Sequence, residues 1–361
     1  MVQNNHLKES DFKILQAKKF KECFPWIGGD LQTIRDTFCI DFKLSKYTEK
    51  ILIPVNAVNS DEFKGEFLIG YLDFPKINIK PKGLIFLTHG LGGSTKRHGL
   101  RRIANKLLKD GFVTFKLNLR GAGPGRYLSE SNYSARCSED IISAVNFLKK
   151  NYFLNLFNNE KIIPFFAVGL SLGGTILLNS CLDYKGSDKL FDGIACVSTP
   201  IDLLSSSNCI EKPRNYLYQK WLINRLKKQI LLCDYPLYSN NNYELKNIIN
   251  NKIKTIREFD KYITAPHWGY SSVEDYYLKA SPIHRIKNKV LNLPSTLLIH
   301  AKDDPWVPYI PTLELKNSQN NVQNTIKILI TDKGGHNGFH SPRGCWSDEI
   351  VKNWINISLK N

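Results

Sequence analysis

Three short segments of the chain could together turn a serine into a nucleophile. GLSLG, Gly169–Gly173, fits the pattern G-x-S-x-G and centres on Ser171. HAKDDPWVP offers two acids, Asp303 and Asp304, and KGGHNGF offers His336 between glycines that let it approach a neighbour closely. A serine hydroxyl is a weak nucleophile until a histidine takes its proton, and the histidine needs an acid to hold its tautomer and orientation. An aspartate before proline often only starts a turn, and a lone loop histidine carries no chemistry. All three groups after strands, in the order serine, acid, histidine, point to attack on a carbonyl carbon.

The oxyanion formed in such an attack needs two backbone donors. One is the N–H after the nucleophile, Leu172; the other belongs to the loop after an earlier strand, here THGLGGS, which makes Leu91 the candidate. His89 is expected to brace this loop. As a phosphate cradle the loop fits poorly, since it lacks both the G-K-[ST] of a P-loop and the G-x-G-x-x-G spacing.

Projecting a serine in this way needs a strand, a sharp turn and a helix. Ile162–Cys181 approaches the length of about 20 apolar residues that a membrane span needs, but Pro164, its glycines and its serines interrupt it. IIPFFAVG instead reads as a buried parallel strand and GTILLNSCL as the following helix. Gly169 and Gly173 then relieve the crowding that a strained serine would suffer on either side.

The rest of the chain supplies the framework. Residues 1–35 read as an N-terminal arm, followed by strand-like DTFCIDFKL, TEKILIPV and GEFLIGYLDF. From Lys82 strands and helices alternate: GLIFLTHG, RRIANKLLKDG, FVTFKLNLRG, then SEDIISAVNFLKKNY with a serine cap. This βαβ rhythm implies a largely parallel sheet with helices on both faces and a site at the carboxyl ends of its strands. The rhythm breaks over 201–292, an aromatic and basic helical insertion placed to cap the site, and resumes with STLLIHA, a helix near Pro311–Asn317, TIKILIT and a closing helix. The expectation is one α/β domain over 1–361 with an arm and a helical cap.

Composition is that of a globular chain, 42% hydrophobic and 23% charged among 361 residues. The net charge of +17 is spread along the whole length, with lysines beside asparagines, and no zinc-finger, RNA-binding or helix-turn-helix signature accompanies it. It gives no support to a nucleic-acid partner beyond charge, and leaves room for transient contact with an anionic membrane. Eight cysteines without a CxxC pair read as reduced, mostly buried thiols. With a polar N-terminus that lacks an apolar signal region, they imply a cytoplasmic protein.

In these motifs the chain resembles the α/β-hydrolase fold superfamily, and specifically the YheT-like esterase family related to eukaryotic abhydrolase-domain lipases. The resemblance runs through LQT in the arm, HGLGGS, RGAG, GLSLGG, REFD, IT, GY and DYY in the insertion, HAKDDP and GGHNGF. It implies a mostly parallel sheet with a cap and a triad of Ser171, Asp304 and His336, Asp304 being the acid three residues before the valine of DPWVP. Two positions depart from the family pattern: Asp30 stands where a histidine often precedes LQT, and Asn118 where an aspartate often lies two residues before RG. The resemblance also implies a serine carboxylic ester hydrolase for short- to medium-chain acyl esters or acylglycerol-like lipids. No metal or organic cofactor is implied, because protein groups supply nucleophile, base and oxyanion stabilisation. An alcohol acyltransferase using the same acyl-enzyme is the alternative; a basic membrane-surface protein on a hydrolase scaffold is a more distant one.

Overall fold

The apolar runs around FLTH and FFAVGL assemble into a sheet buried on both sides. A computed structural model describes residues 18–39, 48–76, 80–153, 163–231, 247–289, 293–318 and 325–360. Eight strands, β1 (Thr48–Val55), β2 (Glu66–Asp73), β3 (Leu84–Thr88), β4 (Val113–Asn118), β5 (Phe165–Leu170), β6 (Gly193–Val197), β7 (Ser295–Ala301) and β8 (Ile326–Thr331), lie in the order β1-β2-β4-β3-β5-β6-β7-β8. β1 and β2 pair antiparallel, β2 joins β4 antiparallel, and all later pairings are parallel. Every residue of β3 and β5 is buried. Such two-sided burial explains why these strands read as continuous apolar runs.

Strand residues alternate between two cores. Leu84 and Phe86 belong to one, Ile85 and Leu87 to the other. Helices α3 (Ser138–Asn151) and α4 (Leu172–Asp183) pack on the first side. Helices α2 (His98–Lys109) and α10 (Trp346–Ser358) pack on the second. The short helix α1 (Gly29–Phe38) precedes the sheet, and α9 (Ile310–Ser318) joins β7 to β8.

Between β6 and β7 lie α5 (Leu203–Ile210), α6 (Tyr216–Leu231), short helical turns over 248–267, α7 (Val273–Ala280) and α8 (Ile283–Lys289). Part of this segment has a core of its own, in which Ile223, Leu226, Ile249, Ile253 and Phe259 meet. The described portion of the expected cap region is thus helical; 232–246 and 290–292 lie outside the described residues.

Three local expectations need correction. Asp36, Thr37 and Phe38 end α1 and are not part of a strand, and the rest of DTFCIDFKL beyond Cys39 lies outside the described residues. Ser138 does not cap α3: Cys137 occupies the cap position, and the Ser138 hydroxyl donates to Asp183 at 2.7 Å. The cysteines are free where described, but only Cys137, Cys181 and Cys196 are fully buried; Cys23, Cys39, Cys209 and Cys345 are half-buried, and Cys233 lies outside the described residues.

Candidate active site

Ser171 sits at the turn from β5 into α4 with φ 53° and ψ −127°. A side chain rarely adopts this region, and holding it there costs on the order of 1–3 kcal/mol unless the surroundings fix it. They do: the Ser171 N–H donates to Val197 O at 2.8 Å, and the turn closes with Gly174 N donating to Ser171 O at 2.9 Å. Glycine at 173 is obligatory, since a Cβ there would lie 2.7 Å from the carbonyl oxygens of Thr88 and His89.

The loops after β7 and β8 bring their side chains to this serine. His336 Nε2 lies 2.9 Å from Ser171 Oγ, and His336 Nδ1 lies 2.9 Å from Asp304 Oδ2. The other Asp304 oxygen accepts from Trp306 N at 2.8 Å and Val307 N at 3.0 Å. Burial alone would raise the Asp304 carboxyl, but the charge and hydrogen bond of His336, with His300 and the Val307 N–H, hold it below the usual range. Asp303 points elsewhere. It accepts from Gly335 N at 2.9 Å, which ties the acid loop to the histidine loop, and burial pushes its carboxyl up.

The loop after β3 runs directly against the serine, close enough that a Cβ on Gly90 would lie 2.8 Å from Ser171 Cβ. Leu91 and Leu172 line the cavity beside Ser171. His89 braces this loop, as its type and position suggest: Nδ1 is 2.9 Å from Gly90 O, and Nε2 accepts from Leu119 N at 3.2 Å. That second bond needs an unprotonated Nε2, and burial lowers the His89 pKa to about 4. Tyr133 OH accepts from Gly92 N at 2.7 Å. Asn118 accepts from Thr95 N at 3.0 Å and donates to Ile69 O at 3.2 Å, so an amide serves where the family pattern has an acid.

Sequence reasoning missed the part played by the arm. Thr33 Oγ1 accepts from His336 N at 2.8 Å and donates to Gly29 O at 2.6 Å. Gln32, fully buried, donates to His340 O at 3.0 Å and accepts from His340 N at 2.6 Å. Gly335, at φ 60°, has no room for a Cβ, which would meet Thr33 Oγ1 at 2.8 Å. The LQT motif was the available signal, but nothing in it says which loop it holds. Asp30 faces the helical segment instead, accepting from Arg214 at 2.8 Å and Tyr218 at 3.1 Å. Trp306 was also missed: its ring stacks on His336 at 4.5 Å and packs edge-on against Tyr218 at 5.4 Å.

Ser171 and His336 line a cavity of about 250 Å³, walled by apolar groups that include Leu100, Leu170, Leu203 and Ile210. Among the described residues no cluster of His, Cys, Asp and Glu is placed to hold a metal ion. The arrangement can move a proton from a serine hydroxyl to an imidazole that a buried carboxylate orients.

Residues 79–341 match the family described as serine aminopeptidase, S33. The chain is 32% identical to the YheT protein of Escherichia coli over 78% of each chain. It is 29% identical to a monoacylglycerol lipase of Saccharomyces cerevisiae, over 82% of this chain and 64% of that protein. An esterase of Pyrococcus furiosus shares the fold with a TM-score of 0.52 at 15% identity, over 94% of this chain and 98% of that one. The chain therefore belongs to the serine aminopeptidase, S33, family of α/β-hydrolases, of the YheT-like kind, and is a serine hydrolase.

Proposed function

We propose that the chain hydrolyses carboxylic esters through an acyl-enzyme on Ser171. In the forward step His336 Nε2 takes the Ser171 proton as Oγ bonds to the ester carbonyl carbon. The N–H groups of Leu172 and Leu91 hold the oxyanion. Collapse of the adduct breaks the bond to the alcohol oxygen, which receives the proton from His336. Water then repeats the sequence on the acyl-enzyme and releases the acid. Asp304 stays ionised and supports the imidazolium.

The observation that carries this reading is the unbroken path from Ser171 Oγ through His336 to Asp304, with both links at 2.9 Å, at the wall of an apolar cavity. The cavity lining and the lipase named among the relatives support short- to medium-chain acyl esters or acylglycerol-like lipids as substrates. No described helix is long and apolar enough to cross a membrane. The net charge of +17 supports transient contact with anionic lipid surfaces, which added salt should weaken.

A series of p-nitrophenyl esters of increasing acyl length, assayed with and without added ethanol, tests the reading. The expected result is a maximum in kcat/KM at short or medium chains, with free acid as the main product. An ethyl ester dominating at low ethanol would turn the assignment to acyl transfer. No turnover above the Ser171→Ala background for any chain length would sink it.

A further inference from the structure

Two helices at the mouth of the cavity turn large apolar side chains to solvent. Thr37 of α1 and Trp221 of α6 line the cavity that holds Ser171 and are themselves exposed, so the mouth lies between these helices. Asp30 of α1 ties them together by accepting from Arg214 and from Tyr218 of α6. On α1, Gln32, Thr33 and Asp36 turn inward, while Leu31, Ile34 and Phe38, spaced three and four residues apart, form an outward stripe. Phe38 is 70% exposed. On α6, Leu222, Ile223 and Leu226 are buried, whereas Leu217 and Trp221, four residues apart, are 76% and 39% exposed. Apolar side chains scattered singly over a surface are ordinary, but several gathered at the rim of a cavity mark a face that something covers.

Charge indicates what covers it. Residues 203–231 carry Lys212, Arg214, Lys220, Arg225, Lys227 and Lys228 against one acid, Glu211, which pairs with Arg257. Lys220 and Lys228 are exposed on the same helix as Leu217 and Trp221. The guanidinium groups of Arg97 and Arg225 lie over the Trp221 ring at 4.9 Å and 5.1 Å, and among the described residues no carboxylate pairs with either. Asp30, the exposed acid of α1, is already paired with Arg214. An anionic bilayer matches both properties, because its headgroups neutralise lysine and arginine while tryptophan and leucine settle into the interfacial layer. A second copy of the chain matches only the apolar part, since a two-fold contact through this face would gather the same uncompensated cations from both copies.

We propose that the outward faces of α1 and α6 form a docking surface for anionic bilayers, on which the protein sits with the mouth of its cavity against the lipid. Esters held in the bilayer then reach Ser171 without crossing water. This delivery rests on the ester-hydrolase reading, whereas docking itself does not.

Co-sedimentation of the full chain with phosphatidylcholine vesicles, with and without phosphatidylserine, at low and physiological salt tests the docking. Vesicles that contain phosphatidylserine are expected to bind about tenfold or more tighter than neutral ones at low salt, and the difference falls as salt rises. Leu217→Glu combined with Phe38→Glu should weaken binding by about tenfold or more. Quenching of tryptophan fluorescence by lipids with brominated chains should fall in Trp221→Phe. The double variant should still turn over a soluble p-nitrophenyl ester as the wild type does, while losing about tenfold in rate on an ester embedded in the vesicles. Should the double variant fail to fold, Leu217→Glu and the salt dependence decide. Equal binding to both kinds of vesicle, binding that Leu217→Glu leaves unchanged, or a dimer dissolved by these substitutions without any vesicle binding would each overturn the docking surface. Docking without turnover of any ester would uphold that surface and remove the hydrolase reading instead.

Discussion

On the sheet side of the cavity, polar groups around Ser171 are paired one after another: Ser171 with His336, His336 with Asp304, Asp304 with two N–H groups, and the His336 backbone with Thr33. Across the cavity, the segment between β6 and β7 presents Trp221, which carries two arginines that have no acid partner among the described residues, and Asp260, a carboxyl in the cavity wall that accepts from Tyr277 at 2.9 Å and from Thr264. The triad itself is held from several sides, whereas among the described residues the two arginines on Trp221 have no acid partner. Chemistry demands fixed distances, so the groups that transfer protons are held from several sides. Recognition demands groups that gain something when substrate arrives, and unmatched charge is one form that takes. Trp306 joins the two walls, stacked on His336 and packed against Tyr218 and Trp221.

If that contrast holds, the largest effects belong to the sheet side. Asp304→Asn should lower kcat by about 10⁴-fold, because the wrong imidazole tautomer is then favoured. Asp303→Asn, whose carboxylate accepts from the Gly335 N–H and does not reach His336, should cost less than about tenfold. Equal losses from the two would erase the distinction between the acid that orients and the acid that ties loops.

Asp260 probes the opposite wall through pH. Burial raises its carboxyl to about 6, so the folded chain holds this proton more tightly than the unfolded chain does. Its contribution to stability is therefore full below the ordinary carboxylate range and is lost as pH rises through about 6. Asp260→Asn should remove that loss, gaining up to about 3 kcal/mol near pH 8 relative to pH 4, read as a flatter dependence of Tm on pH. An unchanged profile would mean that the acid is already hydrated.

Thr33 separates positioning from binding. Thr33→Val deletes the acceptor for His336 N and should lower kcat about tenfold with little change in KM, while Thr33→Ser restores it. A rise in KM alone would place Thr33 with substrate recognition instead. The smallest effect belongs to the exposed Arg214–Asp30 pair, where Arg214→Ala should change stability by less than about 1 kcal/mol by urea unfolding.

The elbow was legible because its backbone requirement selects residue types: few sequences other than G-x-S-x-G fit a positive-φ serine between crowded carbonyls. The parallel strands were legible for a similar reason, since burial on both faces leaves a continuous apolar run. The residues alone did not separate Asp303 from Asp304, because neighbours in a turn diverge and only the fold shows one carboxylate reaching His336 and the other Gly335. Thr33 was illegible in role, since its partner lies 303 positions away. Ser138 looked like a helix cap because serine and acids open many helices, but Asp183 of α4 captures its hydroxyl. The arginine pair on Trp221 joins residues from two separate stretches of chain, and spacing along a sequence does not express that.

The most direct test is labelling of the whole chain by a fluorophosphonate probe, with Ser171→Ala and His336→Ala beside the wild type and circular dichroism to show that all three are folded. The account predicts rapid stoichiometric labelling of the wild type, none of Ser171→Ala and a rate for His336→Ala lower by about 10³-fold or more. Labelling that persists in folded Ser171→Ala, or that proceeds as fast without His336, would contradict it.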